Sequence, residues 1–366
     1  MSSDADADGD ERSDAFADLT TAEVRAAFER ADYVAEEDIV TTVLLALRLD
    51  KPLLVEGAPG AGKTELAKVL ADGFDSELIR LQCYEGLAAE NTLYEWNYTK
   101  QLLAVQTGEH ANTGTNPNAD ASANTDTNEA DDGNDVTAET DERVGGSSGS
   151  VFSEEYLLER PLLRALSTEG ETPPVLLIDE IDRADEELEA LLLEVLSDFQ
   201  VTIPEFGTVS ARVPPIVVIT SNRTRGLSDA LKRRCLYLHV EPPSHEKERE
   251  IVDRKVPELD GAVAAEVCGA THRLRQEPLL KQPGIAETLD WARAVAALRA
   301  GGSGSDGGGD GEGDGSENGD RELTPAEIET TLGCLLKEVE DVTRVDSELL
   351  ESLLESARDA RTRARG

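Results

Sequence analysis

The stretch GAPGAGKT, residues 57–64, constrains the fold of this chain more than any other feature of its sequence. It matches the pattern GxxxxGK[ST], follows the apolar run PLLVEG and precedes TELAKVLADGF, which has helical spacing. A strand, a glycine-rich loop and a helix in this order create an anion site, because the loop N–H groups and the positive helix end point at the same phosphates. We therefore expect a parallel α/β sheet that binds a nucleotide at its edge.

The loop supplies the first candidate ligands. Lys63 is expected to reach the β- and γ-phosphates, and the Thr64 hydroxyl is expected to bind Mg²⁺. A chance match in a glycine-rich loop is the alternative, and the flanking strand and helix disfavour it. The expected nucleotide-binding residues are Gly57, Ala58, Pro59, Gly60, Ala61, Gly62, Lys63, Thr64 and Glu65.

Two later apolar runs end in polar residues. In LLIDEID, residues 176–182, the strand brings Asp179 to its carboxyl end, where it suits Mg²⁺. Glu180 follows and is placed to polarise a water for attack on the γ-phosphate. Asn222, at the end of ITSN, is expected to hold the same water. The plainer alternatives are an acidic loop in an acidic protein and an Asn that closes a turn.

Adjacent cations end a short helical pattern, SDALKRRC, at Arg233 and Arg234. One interpretation is an arginine finger that acts on the nucleotide of a neighbouring subunit. The other is a pair of cations favoured at the carboxyl end of a helix. The sequence has no NKxD-type guanine motif, which disfavours a small GTPase, and no second substrate-binding motif of a small-molecule kinase. The DEID box and the Asn at the strand end instead favour ATP hydrolysis coupled to motion.

The apolar pattern divides the chain into two predicted domains. Continuous apolar strands alternate with helices, which predicts a three-layer α/β core over residues 19–243. Strand signals then stop, and helical patterns predict an all-α lid over residues 244–366. Within the core, FSEEYLLERPLLRAL is predicted as one helix and QVTIPEFGTVSA as a hairpin that turns near Gly207.

Three segments with few large apolar groups are predicted to be disordered, because they cannot bury enough surface to offset their ordering entropy. They are residues 1–18, 107–150 and 301–320.

The net charge is −41, from 76 acidic and 35 basic residues among 366. Such an acidic surface resembles proteins of organisms that accumulate salt, and self-repulsion is expected to destabilise the fold in low salt. The first residues lack a signal-peptide pattern, and no apolar run is long enough for a membrane span, so we expect a cytoplasmic protein. The four cysteines are expected to be small buried hydrophobes in a reduced interior: Cys83, Cys235, Cys268 and Cys334.

Longer blocks of the sequence resemble MoxR-type AAA+ ATPases, and the CoxD-like branch most closely. The blocks are EGAPGAGKTELAK, RLQCYEGLAAENTLYEWNY, LLIDEIDRADEELEALLLEVLSDFQVTIPEFGTV, TSNRTRGLSDALKRRCLY and GIAETLDWARA. The resemblance implies an AAA+ P-loop NTPase core with a small helical lid. It matches the Walker A box with Gly57, Gly60, Gly62, Lys63 and Thr64, Walker B with Asp179 and Glu180, sensor 1 with Asn222, and the finger position with Arg234 beside Arg233.

The same resemblance implies a function, cofactors and partners. The chain would be an ATP-hydrolysing chaperone that uses ATP and Mg²⁺, assembles into a ring, commonly a hexamer, and remodels a protein client. Relatives act with a von Willebrand factor A (VWA) domain partner on metalloenzymes, and the CoxD-like branch is tied to molybdenum enzymes of the carbon monoxide dehydrogenase type. Tyr94, Trp96 and Tyr98 would lie in an insert after the second core strand. These aromatics could contact a partner or simply pack the insert onto the core, and the sequence leaves both alternatives open.

One departure from the family concerns sensor 2, an arginine near the start of a lid helix in many relatives. Here that stretch is QPGIAETLDWARA, and the nearest arginine, Arg293, lies well inside the helix, so none is assigned. Two other functions stay open. A nucleic-acid motor lacks support from a basic stripe, a winged-helix pattern or a zinc site. The second is a nucleotide-dependent scaffold that barely hydrolyses ATP, and the absence of an assigned sensor 2 is compatible with it.

Overall fold

The computed structural model describes residues 16–107, 156–204, 207–301 and 321–365. Apart from their border residues, the segments predicted to be disordered (1–18, 107–150 and 301–320) lie outside these ranges. At one border, Phe16 packs edge-on against Phe74, with ring centroids 5.5 Å apart. No helix in the described ranges combines the length and the hydrophobicity that a membrane span requires.

The described residues form strands and helices in a largely alternating order. The strands are β1 (Leu53–Gly57), β2 (Leu78–Gln82), β3 (Tyr94–Trp96), β4 (Leu157–Glu159), β5 (Val175–Asp179), β6 (Gln200–Ile203), β7 (Gly207–Ser210), β8 (Ile216–Ser221) and β9 (Leu236–Val240). The helices are α1 (Thr21–Arg30), α2 (Glu37–Arg48), α3 (Lys63–Gly73), α4 (Glu90–Leu93), α5 (Tyr98–Thr107), α6 (Pro161–Leu166), α7 (Glu186–Asp198), α8 (Asp229–Arg234), α9 (His245–Lys255), α10 (Gly261–Leu274), α11 (Ile285–Gly301), α12 (Pro325–Leu335), α13 (Val339–Arg344) and α14 (Ser347–Arg365).

A five-stranded parallel sheet in the order β2-β5-β8-β1-β9 forms the centre of the α/β region. Successive residues of its strands join different hydrophobic clusters: Leu176 belongs to one, and Val175 and Leu177 to the other. Side chains alternate between the two faces of a strand, so the clusters lie on opposite faces and each is covered by helices. The predicted three-layer α/β fold is confirmed.

The predicted helix over FSEEYLLERPLLRAL is wrong. The described part of this segment contains β4, which pairs antiparallel with β3, and only then α6. Pro161 explains the break, because it fits the first turn of a helix but disfavours helical backbone in the residue before it. That residue, Arg160, is extended, with φ −98° and ψ 171°.

The predicted hairpin is confirmed in its two strands: β6 pairs antiparallel with β7, and Gly207 has a φ of 107°. The prediction for the cysteines holds for Cys83, Cys235 and Cys268, which are buried free thiols, whereas Cys334 is half-buried.

Beyond the sheet, helices α9 to α12 and α14, with the segments that flank them, build a third hydrophobic cluster from residues 252–357. Trp291 is its largest side chain, and its indole N–H donates to Thr331 Oγ1 at 2.7 Å. Helices α10 and α14 approach closely at Gly269, where an added Cβ would lie 2.7 Å from Ala360 Cβ. The division into domains at residues 243 and 244 stays a prediction, with which this separate cluster is consistent.

One buried ion pair ties α10 to α14. The Glu266 carboxylate, 1% exposed, accepts from Arg361 Nη1 at 2.8 Å and from the Leu323 N–H at 2.7 Å.

Arg361→Ala would leave that carboxylate buried without its cation, so we expect the free energy of unfolding to fall by about 3–5 kcal/mol. Urea unfolding followed by circular dichroism measures it. Arg363→Ala, exposed on the same helix, is the control and should change stability by less than about 0.5 kcal/mol. If Arg361→Ala and Arg363→Ala lowered the free energy of unfolding equally, the buried ion pair would not be a specific source of stability.

Candidate nucleotide-binding site

The predicted phosphate loop lies between β1 and α3, at the carboxyl edge of the sheet. Gly62 precedes α3 with a φ of 90°, a left-handed conformation that favours glycine. Gly57 is required for a different reason: a Cβ there would lie 2.2 Å from the carbonyl oxygen of Val240 in the neighbouring β9. The loop therefore has the backbone freedom to turn its N–H groups toward an anion, as a phosphate nest requires.

Lys63 is buried within this loop, with 7% of its surface exposed. Its Nζ donates to the carbonyl oxygens of Gly57 and Ala58, both at 2.9 Å. Burial lowers the pKa of Lys63, and the nearby carboxylates, led by Asp182, oppose this shift. The loop thus holds the ammonium group beside its own N–H donors, where it complements a phosphate.

Asp179, at the end of β5, is buried and accepts hydrogen bonds at both carboxylate oxygens. Its Oδ1 accepts from Thr64 Oγ1 at 3.1 Å and from Thr220 Oγ1 at 2.5 Å. Its Oδ2 accepts from Arg80 Nη2 at 2.5 Å. Thr64 and Asp179, the two predicted Mg²⁺ ligands, are therefore neighbours. Hard oxygen ligands in adjacent octahedral positions around Mg²⁺ lie about 2.9 Å apart, so this pair fits the ion.

Glu180 follows with φ 57° and ψ 48°, a left-handed conformation that is costly for a residue with a Cβ. Its N–H donates to Thr220 Oγ1 at 3.0 Å. Its Oε2 accepts from Gln82 Nε2 at 3.2 Å and pairs with Arg183 Nε at 3.0 Å. The surrounding structure therefore holds both the backbone and the carboxylate of Glu180.

Asp182 connects this segment to the end of β8. Its carboxylate accepts from the N–H of Asn222 at 3.1 Å, from the N–H of Thr224 at 3.0 Å and from the Thr224 hydroxyl. Burial alone would raise the pKa of Asp182, but the hydrogen bonds from Thr224 and Asn222 outweigh it and hold the pKa below the usual value. The predicted positions of Glu180 and Asn222 are thus fixed relative to each other through Asp182.

A cavity of about 680 Å³ brings these groups together. Its wall contains Asp179, Glu180, Asn222 and every predicted nucleotide-binding residue except Gly57 and Ala58. The remainder of the wall comes from the segment after α1, from α3, β2, β8 and β9, from the segment after β9, and from helices α9 and α11. These contributions are Asp32, Tyr33, Val34, Lys68, Arg80, Thr220, Val240, Glu241, Pro243, Lys247, Ile251, Lys255, Ile285, Ala286, Leu289, Asp290 and Arg293.

The sequence does not predict several residues in and around this wall. Arg80 and Gln82 alternate on β2 and so share one face, but their neighbour in the sheet could not be read from the chain. Arg293 lies two turns inside α11, away from the helix start where a sensor 2 arginine is expected, yet this turn of the helix still borders the cavity. It lies 3.6 Å from Asp290, measured from Nη1 to Oδ1.

The two predicted finger residues lie elsewhere. Arg233 and Arg234 form the last turn of α8, are exposed, and are absent from the cavity wall that the described residues provide. Arg234 Nε donates to Ser197 Oγ at 2.9 Å and its Nη1 to the Ala230 carbonyl at 3.4 Å. The structure does not bring either arginine to the cavity of its own chain.

The aromatics of the predicted insert differ in their surroundings. Trp96 is buried in a small cluster with Tyr156, and its ring lies 5.8 Å from that of Tyr94. Tyr98 opens α5 and is 64% exposed. Packing therefore accounts for Trp96 but not for Tyr98.

A family model decides the classification. The ATPase family associated with various cellular activities (AAA) matches residues 53–241, from β1 to the end of β9. The chain belongs to the AAA family. This match spans the phosphate loop, Asp179, Glu180, Asn222 and α8. No curated protein matches the chain.

Solved structures of RuvB and of a putative ATPase are similar to this chain at low identity. RuvB of Thermotoga maritima, described as a Holliday junction branch migration motor, is 18% identical with a TM-score of 0.38 over 74% of this chain and 64% of that chain. A mutant of that RuvB is also 18% identical, with a TM-score of 0.42 over 74% of this chain and 66% of that chain. This chain thus spans slightly less than two thirds of these RuvB chains. A putative ATPase from Cytophaga hutchinsonii is 14% identical, with a TM-score of 0.39 over 92% of this chain and 94% of that chain. At these values the likenesses carry no argument about function.

Lys63→Ala tests whether the loop binds phosphate. Removing a buried cation from a charge pair costs about 2–5 kcal/mol, so ATP affinity should fall roughly thirtyfold or more. Fluorescent ATP analogues titrated in high salt measure the change. Lys51→Ala, an exposed lysine shortly before β1, makes the same charge change outside the loop and should bind normally. If Lys63→Ala bound ATP as tightly as the wild type, the loop would not be the phosphate-binding site.

Proposed function

We propose that this chain hydrolyses ATP with Mg²⁺ in the cavity at the edge of its sheet and uses the energy to remodel a protein client. One observation carries the catalytic part: a single cavity wall joins the phosphate loop with Asp179, Glu180, Asn222 and helix α11. Phosphoryl transfer depends on positioning and charge stabilisation, and these groups supply both.

Each side chain has a role in this scheme. Lys63 and the loop N–H groups hold the β- and γ-phosphates, and Thr64 and Asp179 hold Mg²⁺, which neutralises phosphate charge when it is bound. Asn222 orients the attacking water, and Glu180 accepts its proton. Gln82 and Arg183 both bind Oε2 of Glu180, so Oε1 can accept the proton while these contacts hold the side chain in place.

A ring is part of the proposal, because the finger needs a second subunit. Arg234 is exposed at the end of α8 and outside its own cavity, which supports a role in the cavity of a neighbour. The resemblance to MoxR-type ATPases favours a hexamer. Arg233, one residue away, is the other candidate for the same role.

The client and partner follow from the resemblance to the CoxD-like branch. We propose a chaperone that helps to mature a metalloenzyme, with a VWA-domain protein as partner. The exposure of Tyr98 supports α5 as a contact surface, since a large aromatic at 64% exposure gains most when a partner covers it.

Glu180→Gln should keep ATP bound and stop its hydrolysis. The amide cannot accept a proton, so turnover is expected to fall by about 10²–10⁴ while affinity stays within a fewfold. Phosphate release and ATP binding, measured on the same preparation, separate the two effects. The matched control is Glu187→Gln, exposed in the first turn of α7, which should turn over normally. Full turnover of Glu180→Gln would exclude Glu180 as the base.

Mixing two inactive variants tests the finger. Arg234→Ala removes the finger and should lower turnover by about 10³ or more. A mixed ring with Glu180→Gln subunits contains interfaces with one intact Glu180 and one intact Arg234, so part of the activity should return. Arg233→Ala, assayed in parallel, shows which arginine acts. If mixing restores no activity, the arginine does not act across subunits.

The ATP-bound Glu180→Gln variant also tests the client. Recovered from its native lysate at high salt, it should bring down a VWA-domain protein or a metalloenzyme subunit that Lys63→Ala does not. Recovery of DNA or replication proteins alone would contradict the chaperone and favour a nucleic-acid motor.

A further inference from the structure

The turn that precedes α11 rests directly on the phosphate loop. A Cβ added at Gly284 would lie 3.0 Å from both the Cα and the carbonyl oxygen of Gly60. A Cβ added at Gly60 would lie 3.2 Å from Gly284 Cα. The two backbones therefore meet with no side chain between them, and any side chain at this point would separate them.

The turn leads without a break into the part of α11 that borders the cavity. Gly284 donates from its N–H to Glu287 Oε2 at 3.0 Å, and its carbonyl accepts from the N–H of Thr288 at 3.2 Å. Ile285, Ala286 and Leu289, which follow, lie in the cavity wall. A shift of the turn would therefore move one side of the cavity.

A buried ion pair holds the turn from behind. Glu248 of α9 is 0% exposed, and Arg275, just after α10, binds its carboxylate with two nitrogens, at 2.7 Å each. The same guanidinium donates from Nε to the Pro283 carbonyl at 2.7 Å and from Nη2 to Thr288 Oγ1 at 3.0 Å. The Thr288 hydroxyl completes the group by donating to Glu248 Oε1 at 2.7 Å.

Arginine suits this position because its planar guanidinium presents donors in a fixed geometry. Two of its nitrogens engage a carboxylate, and the third faces the backbone of the turn. Arg275 and Glu248 are both absent from the cavity wall that the described residues provide. Any effect of this pair on a nucleotide would therefore be indirect, either through residues 283–288 or through α9, whose Lys247 and Ile251 line the wall.

We propose that Arg275 is a positioning residue for nucleotide binding: paired with buried Glu248, it fixes residues 283–288 so that Gly284 seats on Gly60. The inference rests on the proposed binding of ATP in the cavity. We call the backbone contact between Gly284 and Gly60 the seat. It limits the conformations open to the phosphate loop, and the loop in turn supports α11. A ligand that orders the loop stabilises the seat by the same free energy with which the seat favours the ligand, because such coupling is reciprocal.

Gly284→Ala is the cleanest test. Gly284 has no left-handed φ, so alanine is compatible with its backbone, and the methyl group is opposed by Gly60 and by Glu287 Oε2 at 3.2 Å. We expect ATP affinity to fall about tenfold, since 1.4 kcal/mol of lost contact corresponds to that factor. Hydrogen exchange of the amides in residues 57–62 should become faster in the nucleotide-free protein. Gly333→Ala in α12 is the control, because its added Cβ meets nothing within 4 Å, and it should leave both measurements unchanged.

Arg275→Lys tests the residue behind the turn. Lysine keeps a cation opposite Glu248, which favours folding, but it cannot bind the carboxylate and the Pro283 carbonyl with one planar group. Affinity and exchange should change in the same direction as in Gly284→Ala. Because both substitutions act through one seat, the double variant should lose little more affinity than the weaker-binding single variant. Independent, fully additive losses would show that Arg275 acts by another route.

The outcomes separate this inference from the proposed function. If the wild type binds ATP, and Gly284→Ala and Arg275→Lys bind it equally well with unchanged exchange, the inference is overturned and the function stands. If the wild type does not bind ATP, the proposed function fails and the claim for nucleotide binding fails with it. The exchange of residues 57–62 in the free protein then shows whether the seat itself exists.

Discussion

The parallel register of the central sheet is the constraint on which the rest of the site depends. Pairing of Leu53 with Val218 and of Ile178 with Ile219 brings the carboxyl ends of β1, β5 and β8 to one edge. The residues after those ends are the phosphate loop, Glu180 and Asn222. A slip of one strand by one residue would exchange the faces of all its side chains and so disrupt the packing of both hydrophobic clusters.

Buried charge at this edge is balanced by dense hydrogen bonding. Asp179 and Asp182 are each 4% exposed, and hydroxyl and backbone donors engage their oxygens. A polar site that is already oriented stabilises developing charge without reorganising, which is the main source of electrostatic catalysis. The cavity wall carries balanced charge in a chain whose net charge is −41. Among the residues that the structure describes, its six cations are Lys63, Lys68, Arg80, Lys247, Lys255 and Arg293, and its six carboxylates are Asp32, Glu65, Asp179, Glu180, Glu241 and Asp290. An ATP anion therefore meets less repulsion there than the net charge of the chain would suggest.

The sequence was sufficient wherever the determinants are local. The loop, Asp179 and Asn222 could be placed because each directly follows an apolar run that becomes a buried strand. Arg80 could not be placed, because its contact with Asp179 depends on β2 and β5 being neighbours, although residues 83–174, 92 in number, lie between these two strands. The position of Arg293 in the wall depends on the orientation of α11. The formation of β4 depends on its pairing with β3, which lies far away in the sequence. The catalytic and ligand roles of the predicted residues stay predictions.

The most direct measurement is an experimental structure of the full chain with a slowly hydrolysed ATP analogue and Mg²⁺ at high salt. We expect the γ-phosphate beside Lys63 Nζ and Asn222, Mg²⁺ at Thr64 and Asp179, and Gly284 still in contact with Gly60. Nucleotide bound outside the cavity, or a cavity empty at saturating analogue, would contradict it.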